Sequence, residues 1–220
     1  YCNGYKVVLF LWNKDGLRIP LGFGLYHKQS GSVCDITMSF ISQLRNGFKF
    51  SPEMFVADGA YDIDKLVKLL TGYGWPCVIR CRSNRNLDKT PIKKLIPRGF
   101  GEAKGHLRNK EKAKVFRDRK RFYLSNRMLL KRKKAQQYYA SRWKIEESFR
   151  FLKSCIGLNG CQQHRTIFQE IFIWMCLITF AYFSFQESFS DDTIYKCFHN
   201  VIFGDQEFDY AFLERIFNDQ

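Results

Sequence analysis

The order of the apolar segments in the first 81 residues restricts the fold of this chain more than any other feature. Two β-branched and aromatic runs, Tyr5 to Trp12 and Ile19 to Tyr26, flank the hairpin signal Asn-Lys-Asp-Gly at 13–16. The segments that follow alternate between helical and extended patterns: a helix capped by Asp35 that runs to about Leu44, a strand over 54–57, a helix from Ile63 to Leu70, and a strand from Pro76 to Cys81. This order predicts an α/β fold with a mixed sheet.

A basic segment follows this α/β region. Between Arg80 and Lys134 the sequence has 21 Lys and Arg but 4 Asp and Glu, a charge of +17, whereas the whole chain carries +15. From Ser83 to Arg121, proline and glycine interrupt any periodicity, which predicts a loop or a small β insertion without a core of its own. A local surplus of this size indicates a polyanionic partner, with a solvated loop as the alternative.

The second half of the chain is predicted to be mainly helical. After a short strand, Phe122 to Ser125, a long helical pattern extends from near Leu129 to Cys155. The apolar run from Ile171 to Phe185 has 15 residues, fewer than the roughly 20 that cross a bilayer, and it predicts a buried helix rather than a signal-anchor. The segment after Ser190 is predicted to form helices that pack on the domain.

Eight cysteines are scattered through the sequence, and they are expected to be free thiols in a reducing compartment. Cys155, Cys161 and His164 lie close together in the sequence. No second close pair completes a tetrahedral set, so buried thiols are favoured over a zinc site. Neither disulfides nor zinc are predicted.

Four polar residues of the long helical pattern share one side of a helix. At 100° per residue, Tyr139, Arg142, Glu146 and Lys153 fall within a stripe about 60° wide, directly beside the apolar face. A carboxylate at that position is held at the rim of the core, and Arg142 and Lys153 can reach phosphates of one strand on either side of it. The alternative is an ordinary amphipathic helix whose charges are solvated.

The stretch YASRWKIEESFRFLK resembles the Tyr-x2-Arg-x3-Glu-x6-Lys signature of the bacterial insertion-sequence DDE transposases. A second segment, FVADGAYD, looks like the part of that family that carries its second catalytic Asp, here Asp58. The resemblance covers roughly Tyr5 to Phe185 and implies an RNase H-like mixed sheet flanked by helices, with an insertion between the second and third catalytic carboxylates. The corresponding division of the chain is into a first part of the core (1–83), a basic insertion (84–121), the rest of the core (122–189) and a C-terminal helical segment (190–220).

The family resemblance implies metal-dependent DNA cleavage and strand transfer by a cut-and-paste route. Asp58 and Glu146 are then the catalytic residues and the ligands of Mg²⁺, with Mn²⁺ as an alternative, because two such ions suit phosphodiester chemistry. The predicted partners are the transposon ends and target DNA, bound by a homodimer, with no membrane, in the cytoplasm at the nucleoid. The predicted DNA contacts are Tyr139, Arg142 and Lys153 of the signature and Arg80, Arg82 and Arg85 of the basic segment.

Several neighbouring residues are assigned structural roles. Glu147 is expected to be solvated or paired with Arg150 or Lys144, because it lies 100° from Glu146 on the helix. Asp62 and Asp64 are expected to be acids of a first helical turn rather than ligands. Trp75 and Trp143 are expected to pack in the core rather than to stack on a displaced base.

The family's first catalytic Asp has no counterpart at the expected place. Asp15 lies in a turn and Asp35 at a helix start, so the first carboxylate, and any N-terminal DNA-recognition domain, are expected upstream of Tyr1. The chain by itself is therefore expected to be an inactive fragment. The alternative functions are an RNase H-fold nuclease without strand transfer and a catalytically decayed DNA-binding protein.

Overall fold

A computed structural model of the chain describes residues 6–26, 31–161 and 165–203. Residue contacts divide the chain into two compact units. The first contains Tyr1–Val8 and Gly24–Arg142, and the second contains Leu9–Phe23 and Trp143–Gln220.

The two predicted N-terminal strands form a hairpin. Strands β1 (Lys6–Lys14) and β2 (Leu17–Tyr26) make a two-stranded sheet. Their two-residue turn has φ values of 50° at Asp15 and 88° at Gly16. Asp and Gly suit a turn in which both central residues are left-handed, so the sequence signal for this hairpin is confirmed.

Helix α1 (Val33–Gly47) begins earlier than predicted. Its N-cap is Ser32, whose side chain accepts a hydrogen bond from the backbone N–H of Asp35 at 3.1 Å. The Asp35 carboxylate accepts from the backbone N–H of Ser32 at 3.0 Å, which completes a capping box. Asp35 is therefore the third helical residue and not the cap. Hydrogen bonds to its carboxylate from the Ser32 hydroxyl, at 2.6 Å, and from the Ser32 backbone N–H lower the pKa of the Asp35 carboxyl group.

The first unit is built on a five-stranded mixed sheet, which confirms the predicted sheet type. The strands stand in the order β3-β4-β9-β8-β7, and the β3–β4 pair is parallel whereas the other pairs are antiparallel. The elements of this unit after α1 are β3 (Phe55–Ala57), α2 (Asp64–Gly72), β4 (Cys77–Cys81), β5 (Asn86–Leu87), β6 (Thr90–Pro91), α3 (Ile92–Leu95), β7 (Phe100–His106), β8 (Lys112–Asp118), β9 (Arg121–Ser125) and α4 (Arg132–Ser141).

The basic insertion is more ordered than its sequence suggests. Strands β7 and β8 extend the main sheet, and Ala113, Val115 and Phe116 are fully buried. The apolar pattern of β8 is hard to recognise in the sequence because Lys114 lies among these buried residues. Its ammonium group donates a hydrogen bond to the Leu130 carbonyl at 2.9 Å and its side chain is 6% exposed. The insertion therefore has the β structure that was one of its two predicted alternatives, and its buried residues belong to the core of the main sheet rather than to a separate core.

Helix α4 covers part of this sheet. Ala135 and Tyr139 of α4 pack with the sheet residues Val78, Phe116 and Tyr123 in one buried cluster. The rings of Tyr123 and Tyr139 have centroids 4.7 Å apart. Burial of this apolar area holds the helix on the strands.

The second unit is helical apart from its share of the hairpin. Its helices are α5 (Trp143–Ser154), α6 (Thr166–Phe189) and α7 (Ile194–Phe203). The ring of Phe151 lies at the centre of their packing, with ring centroids 5.3 to 6.1 Å from those of Phe180, Phe183, Tyr195 and Phe198. Helix α7 confirms the predicted C-terminal helix, and the acidic stretch over 204–220 lies outside the described residues.

The predicted continuous helix from Leu129 to Cys155 is two helices. Helix α4 ends at Ser141 and α5 begins at Trp143. The backbone N–H of Arg142 donates to the Tyr139 carbonyl at 3.1 Å, an i to i−3 bond that tightens the chain where the helix is interrupted. The predicted common stripe therefore holds within α5 alone, where Glu146 and Lys153 are seven residues apart.

Helix α6 is longer and less buried than predicted. It has 24 residues, and large apolar side chains on one side are about half exposed, among them Trp174 at 46% and Met175 at 62%. By length and composition it qualifies as a membrane-spanning helix, with 33% of its apolar window buried. Core helices of soluble proteins satisfy the same criteria, and Phe180 and Phe183 of α6 are buried in the helical core.

The cysteines of the described residues are free thiols, as predicted. Seven are unpaired, and Cys77 and Cys81 of β4 are buried. Burial raises the pKa of the Cys77 thiol to about 12. Cys2 and His164 lie outside the described residues.

Candidate active site

Asp58 stands at the carboxyl end of strand β3, directly before a one-turn 3-10 helix, Gly59–Tyr61. It caps that helix, because its Oδ1 accepts a hydrogen bond from the backbone N–H of Ala60 at 2.8 Å. The side chain is only partly buried. The cap fixes the orientation of the carboxylate while leaving it accessible, as a metal ligand requires.

The charge of Asp58 acts on a neighbouring hydroxyl group and a neighbouring thiol group. Burial raises the pKa of the Tyr61 hydroxyl, and the negative charge of Asp58 raises it further. Burial also raises the pKa of Cys34, with added contributions from Asp35 and Asp58. The Cys34 thiol, at the start of α1, donates to the Ala60 carbonyl at 3.5 Å. Helix α1 therefore contacts the loop that begins at Asp58.

Two further carboxylates follow Asp58 and share one arginine. Arg85 Nη1 is 2.7 Å from Asp62 Oδ1, and Arg85 Nη2 pairs with the carboxylate of Asp64. The side chain of Asp62 is 4% exposed and that of Arg85 is 11% exposed. Asp64 begins α2, as predicted, whereas Asp62 follows the 3-10 helix and is buried. The sequence contained no sign of this arrangement, because Arg85 is 21 and 23 positions away from its partners.

A cavity of about 350 Å³ lies beside this ion-pair cluster. Its lining includes Gly59, Ala60, Asp62, Arg82, Arg85 and Arg108. The cavity therefore adjoins the loop that begins at Asp58 and carries both acidic and basic groups.

The predicted DNA-binding arginines of this region differ in exposure. Arg80 on β4 and Arg82 after it are exposed. Arg85 is largely buried and paired with the two aspartates. Arg80 and Arg82 are consequently the accessible members of the set.

Tyr139 and Arg142 contact each other in the first unit. Tyr139 is 9% exposed and belongs to the buried cluster of the sheet. The guanidinium carbon of Arg142 lies 5.5 Å from the centroid of its ring, within the range of a cation–π contact. The contact therefore places the partly exposed Arg142 against a buried ring at the end of α4.

Glu146 and Lys153 belong to α5 in the second unit, whereas Asp58 belongs to the first. Glu146 lies in the first turn of α5, where a negative charge is favourable, and Lys153 lies in the last. The ammonium group of Lys153 is 5.7 Å from the Phe149 ring centroid. Among the described residues, His, Cys, Asp and Glu form no group of three that could hold a metal ion.

The Glu147 carboxylate pairs with basic side chains, whereas the neighbouring Glu146 is the predicted metal ligand. Its Oε2 is 3.0 Å from Lys144 Nζ, which confirms the predicted pairing, and 3.8 Å from Arg18 Nη1. Arg18 is 2% exposed and also pairs with Glu187 of α6. The backbone N–H of Arg18 donates to Ser184 Oγ at 2.8 Å. This buried arginine links β2, α5 and α6, and sequence reasoning did not identify it.

Comparison with known proteins assigns the chain to a family. A family model described as the transposase DDE domain matches residues 1–182. The chain belongs to the transposase DDE-domain family. The predicted DDE transposase resemblance is confirmed at this level, and the five-stranded mixed sheet with its helices is the predicted RNase H-like fold.

A solved structure supports the fold of this transposase domain. The piggyBac transposase, in a synaptic complex with hairpin DNA, matches with a TM-score of 0.58 and 11% sequence identity. The alignment covers 90% of this chain and 45% of the piggyBac chain, so this chain spans less than half of its length. Comparison with curated proteins found no match.

The two tryptophans with predicted core positions, Trp75 and Trp143, differ in environment. Trp75 is 1% exposed and packs against the ring of Phe50, which confirms its predicted core position. Trp143 is 50% exposed, with the Arg150 guanidinium 5.9 Å from its ring centroid, so the same prediction is wrong for it. Trp143 is the first residue of α5.

Proposed function

We propose that this transposase domain cleaves DNA at the ends of a bacterial insertion sequence and joins the freed 3′ hydroxyl to target DNA by a cut-and-paste route. The observation that carries the proposal is the match to the transposase DDE domain over residues 1–182. The signature residues Tyr139, Arg142, Glu146 and Lys153, in that order and spacing, support it. They follow Asp58 along the chain, as the family motif requires.

Asp58 and Glu146 are the proposed catalytic residues and ligands of Mg²⁺, with Mn²⁺ as a substitute. Carboxylate oxygens are the ligands that Mg²⁺ prefers, and the cap on Asp58 Oδ1 leaves its second oxygen available for a cation. When bound, divalent ions activate a hydroxyl or water and neutralise charge on the attacking and leaving oxygens.

The remaining signature residues are proposed to orient the scissile strand. Arg142 is suited to forked contacts with phosphate oxygens, and Lys153 to a point contact. Tyr139 supplies a hydroxyl donor, while its ring supports the Arg142 guanidinium. None of these contacts reads a base, so sequence recognition belongs to other parts of the protein.

The proposed partners are transposon ends and target DNA, bound by a homodimer assembled on paired ends in the cytoplasm, at the nucleoid. The concentration of positive charge between Arg80 and Lys134 supports DNA binding. Exposed arginines on and after β4 stand at the start of this segment.

Replacing Arg80 and Arg82 together by Ala is expected to weaken DNA binding and its dependence on salt. Each phosphate contact contributes about −0.9 to the slope of the logarithm of the DNA-binding constant against the logarithm of the salt concentration. The slope of the double variant is therefore expected to be less steep than that of wild type by about 2. Fluorescence anisotropy with a duplex between about 50 and 200 mM salt measures this. Lys68→Ala, which removes an exposed cation of α2, is the control, and equal slopes for both variants would exclude Arg80 and Arg82 as phosphate contacts.

The proposed activity is tested with the full-length protein and a DNA fragment that carries the element's ends. Cleavage is expected with Mg²⁺ or Mn²⁺ and not with EDTA, and the product is expected to become joined to a supercoiled target. Cleavage without joining would identify a nuclease instead. Binding without either reaction, at any divalent cation concentration, would identify a decayed DNA-binding protein.

A further inference from the structure

We propose that Arg85 is a positioning residue, which holds the Asp58 loop in place and prevents Asp62 and Asp64 from competing for the catalytic cation. The inference rests on the proposed role of Asp58 as a metal ligand. It concerns a residue that contacts neither DNA nor the reacting atoms, and it replaces the predicted role of Arg85 in DNA binding.

The loop between Asp58 and Asp62 is short. Only the 3-10 helix Gly59–Tyr61 separates the two residues. Within it, the backbone N–H of Tyr61 donates to the Asp58 carbonyl at 3.2 Å. Any displacement of Asp62 is therefore transmitted to Asp58 through a single helical turn.

Arg85 makes several contacts with this loop and with the residue that begins α2. Its Nη1 donates to the backbone carbonyl of Asp62 at 3.1 Å and lies 2.7 Å from Asp62 Oδ1. Its Nη2 pairs with Asp64 Oδ1. Backbone and carboxylate of Asp62 are thus both held by one guanidinium group, which is a planar fork that an ammonium group does not reproduce.

The backbone of Arg85 is itself anchored to Arg82, directly after β4, and to Ile92, at the start of α3. Its backbone N–H donates to the Arg82 carbonyl at 3.0 Å, and its carbonyl accepts from the Ile92 N–H at 2.8 Å. The Arg82 N–H also donates to Asp62 Oδ2 at 3.3 Å. The cluster therefore connects the loop after β3 with the loop after β4, its parallel neighbour in the sheet.

Arg85 also supplies the positive charge that compensates the carboxylates of Asp62 and Asp64. Burial raises the pKa of the Asp62 carboxyl, and the adjacent Arg85 guanidinium offsets part of that rise. Without Arg85, two carboxylates would remain within six residues of Asp58 with no guanidinium between them. Buried charge without a counter-ion is costly, so the loop would move, or the carboxylates would be neutralised by a proton or by a cation. A divalent cation is the available species under reaction conditions, and its capture there would compete with the catalytic site.

The expected result for Arg85→Ala is at least a tenfold increase in the Mg²⁺ concentration that gives half-maximal cleavage, with DNA affinity changed less than threefold. Arg85→Lys is expected to show an intermediate increase, because a point charge cannot hold both aspartates. Adding Asp62→Asn and Asp64→Asn to Arg85→Ala is expected to restore most of the Mg²⁺ response. Arg98→Ala, an exposed arginine of the insertion, is the matched control and is expected to keep the wild-type Mg²⁺ requirement.

A second measurement does not depend on cleavage. Titration of the DNA-free protein with Mn²⁺, followed by the electron paramagnetic resonance signal of the free ion, is expected to show one additional bound Mn²⁺ in Arg85→Ala, and none in the variant that also lacks both aspartates. Loss of thermal stability with unchanged Mg²⁺ and Mn²⁺ responses would overturn the proposal in favour of a purely structural role. A tenfold loss of DNA affinity with unchanged metal responses would overturn it in favour of a DNA contact. Absence of cleavage in the wild type would refute the proposed function, whereas the Mn²⁺ titration would still test Arg85.

Discussion

Asp58→Asn and Glu146→Gln are each expected to reduce the rate of DNA strand cleavage by at least about 10³-fold, which corresponds to about 4 kcal/mol of transition-state stabilisation. Both substitutions keep the size of the side chain but remove the negative charge that holds a divalent ion. The Asn side chain also keeps the oxygen that caps the 3-10 helix after Asp58, so the fold is expected to survive. Single-turnover cleavage assays at saturating Mg²⁺ and DNA measure the effect.

Glu147→Gln provides the matched control for Glu146→Gln. The two glutamates are adjacent in α5, and Glu147 pairs with Lys144 and Arg18. The Glu147→Gln variant is expected to be modestly less stable than wild type. Its cleavage rate is expected to stay within about tenfold of wild type at a temperature where all variants are folded. A full loss of cleavage in Glu147→Gln with retention in Glu146→Gln would assign the ligand role to the other glutamate and contradict the proposed site.

Arg18→Ala is expected to destabilise the protein by about 3 kcal/mol or more. Removing one partner of a buried ion pair leaves the other charge without compensation, at a cost of about 3–5 kcal/mol. Arg18 is 2% exposed, and its partners Glu147 and Glu187 are 33% and 26% exposed. The lower end of that range is expected because water reaches the glutamates. Urea denaturation followed by circular dichroism measures the free energy of unfolding.

Two comparisons isolate the charge of Arg18 from its packing. Its guanidinium lies 5.7 Å from the Phe180 ring centroid, so part of the loss is packing. Arg18→Met keeps the aliphatic volume. If the uncompensated charge of Glu187 causes most of the loss of stability, adding Glu187→Gln to Arg18→Met is expected to recover it. Lys196→Ala removes an exposed i, i+4 pair of α7 with Asp192 and is expected to change stability negligibly. An Arg18→Ala variant as stable as Lys196→Ala would show that the buried pair is unimportant.

The regular elements of the fold were accessible from the sequence because their signals are local. The alternation of β1 and β2, the Asp-Gly turn between them, and the apolar spacing of α2 each depend on residues within a few positions of one another. The same applies to the signature residues of α4 and α5, which are identified by their spacing along the chain. Such patterns survive without knowledge of any distant contact.

Other features could not be decided from local patterns. The choice between a loop and a β insertion stayed open because Lys114 interrupts the apolar pattern of a buried strand, and its charge is satisfied by the Leu130 carbonyl and Glu102. The predicted long helix is interrupted at Arg142, although nothing in its periodicity marks the position. The predicted burial of Trp143 was also wrong.

The sequence alone was sufficient for the fold class, the family and the candidate carboxylates Asp58 and Glu146, because periodicity and motif spacing are written along the chain. Folding was required to reveal which charges are neutralised by which partners. Arg18 and Arg85 look like ordinary basic residues, yet each is buried between two carboxylates from distant positions. Ion pairing depends on distance in space and on exclusion of water, and neither quantity can be read from separation along the chain.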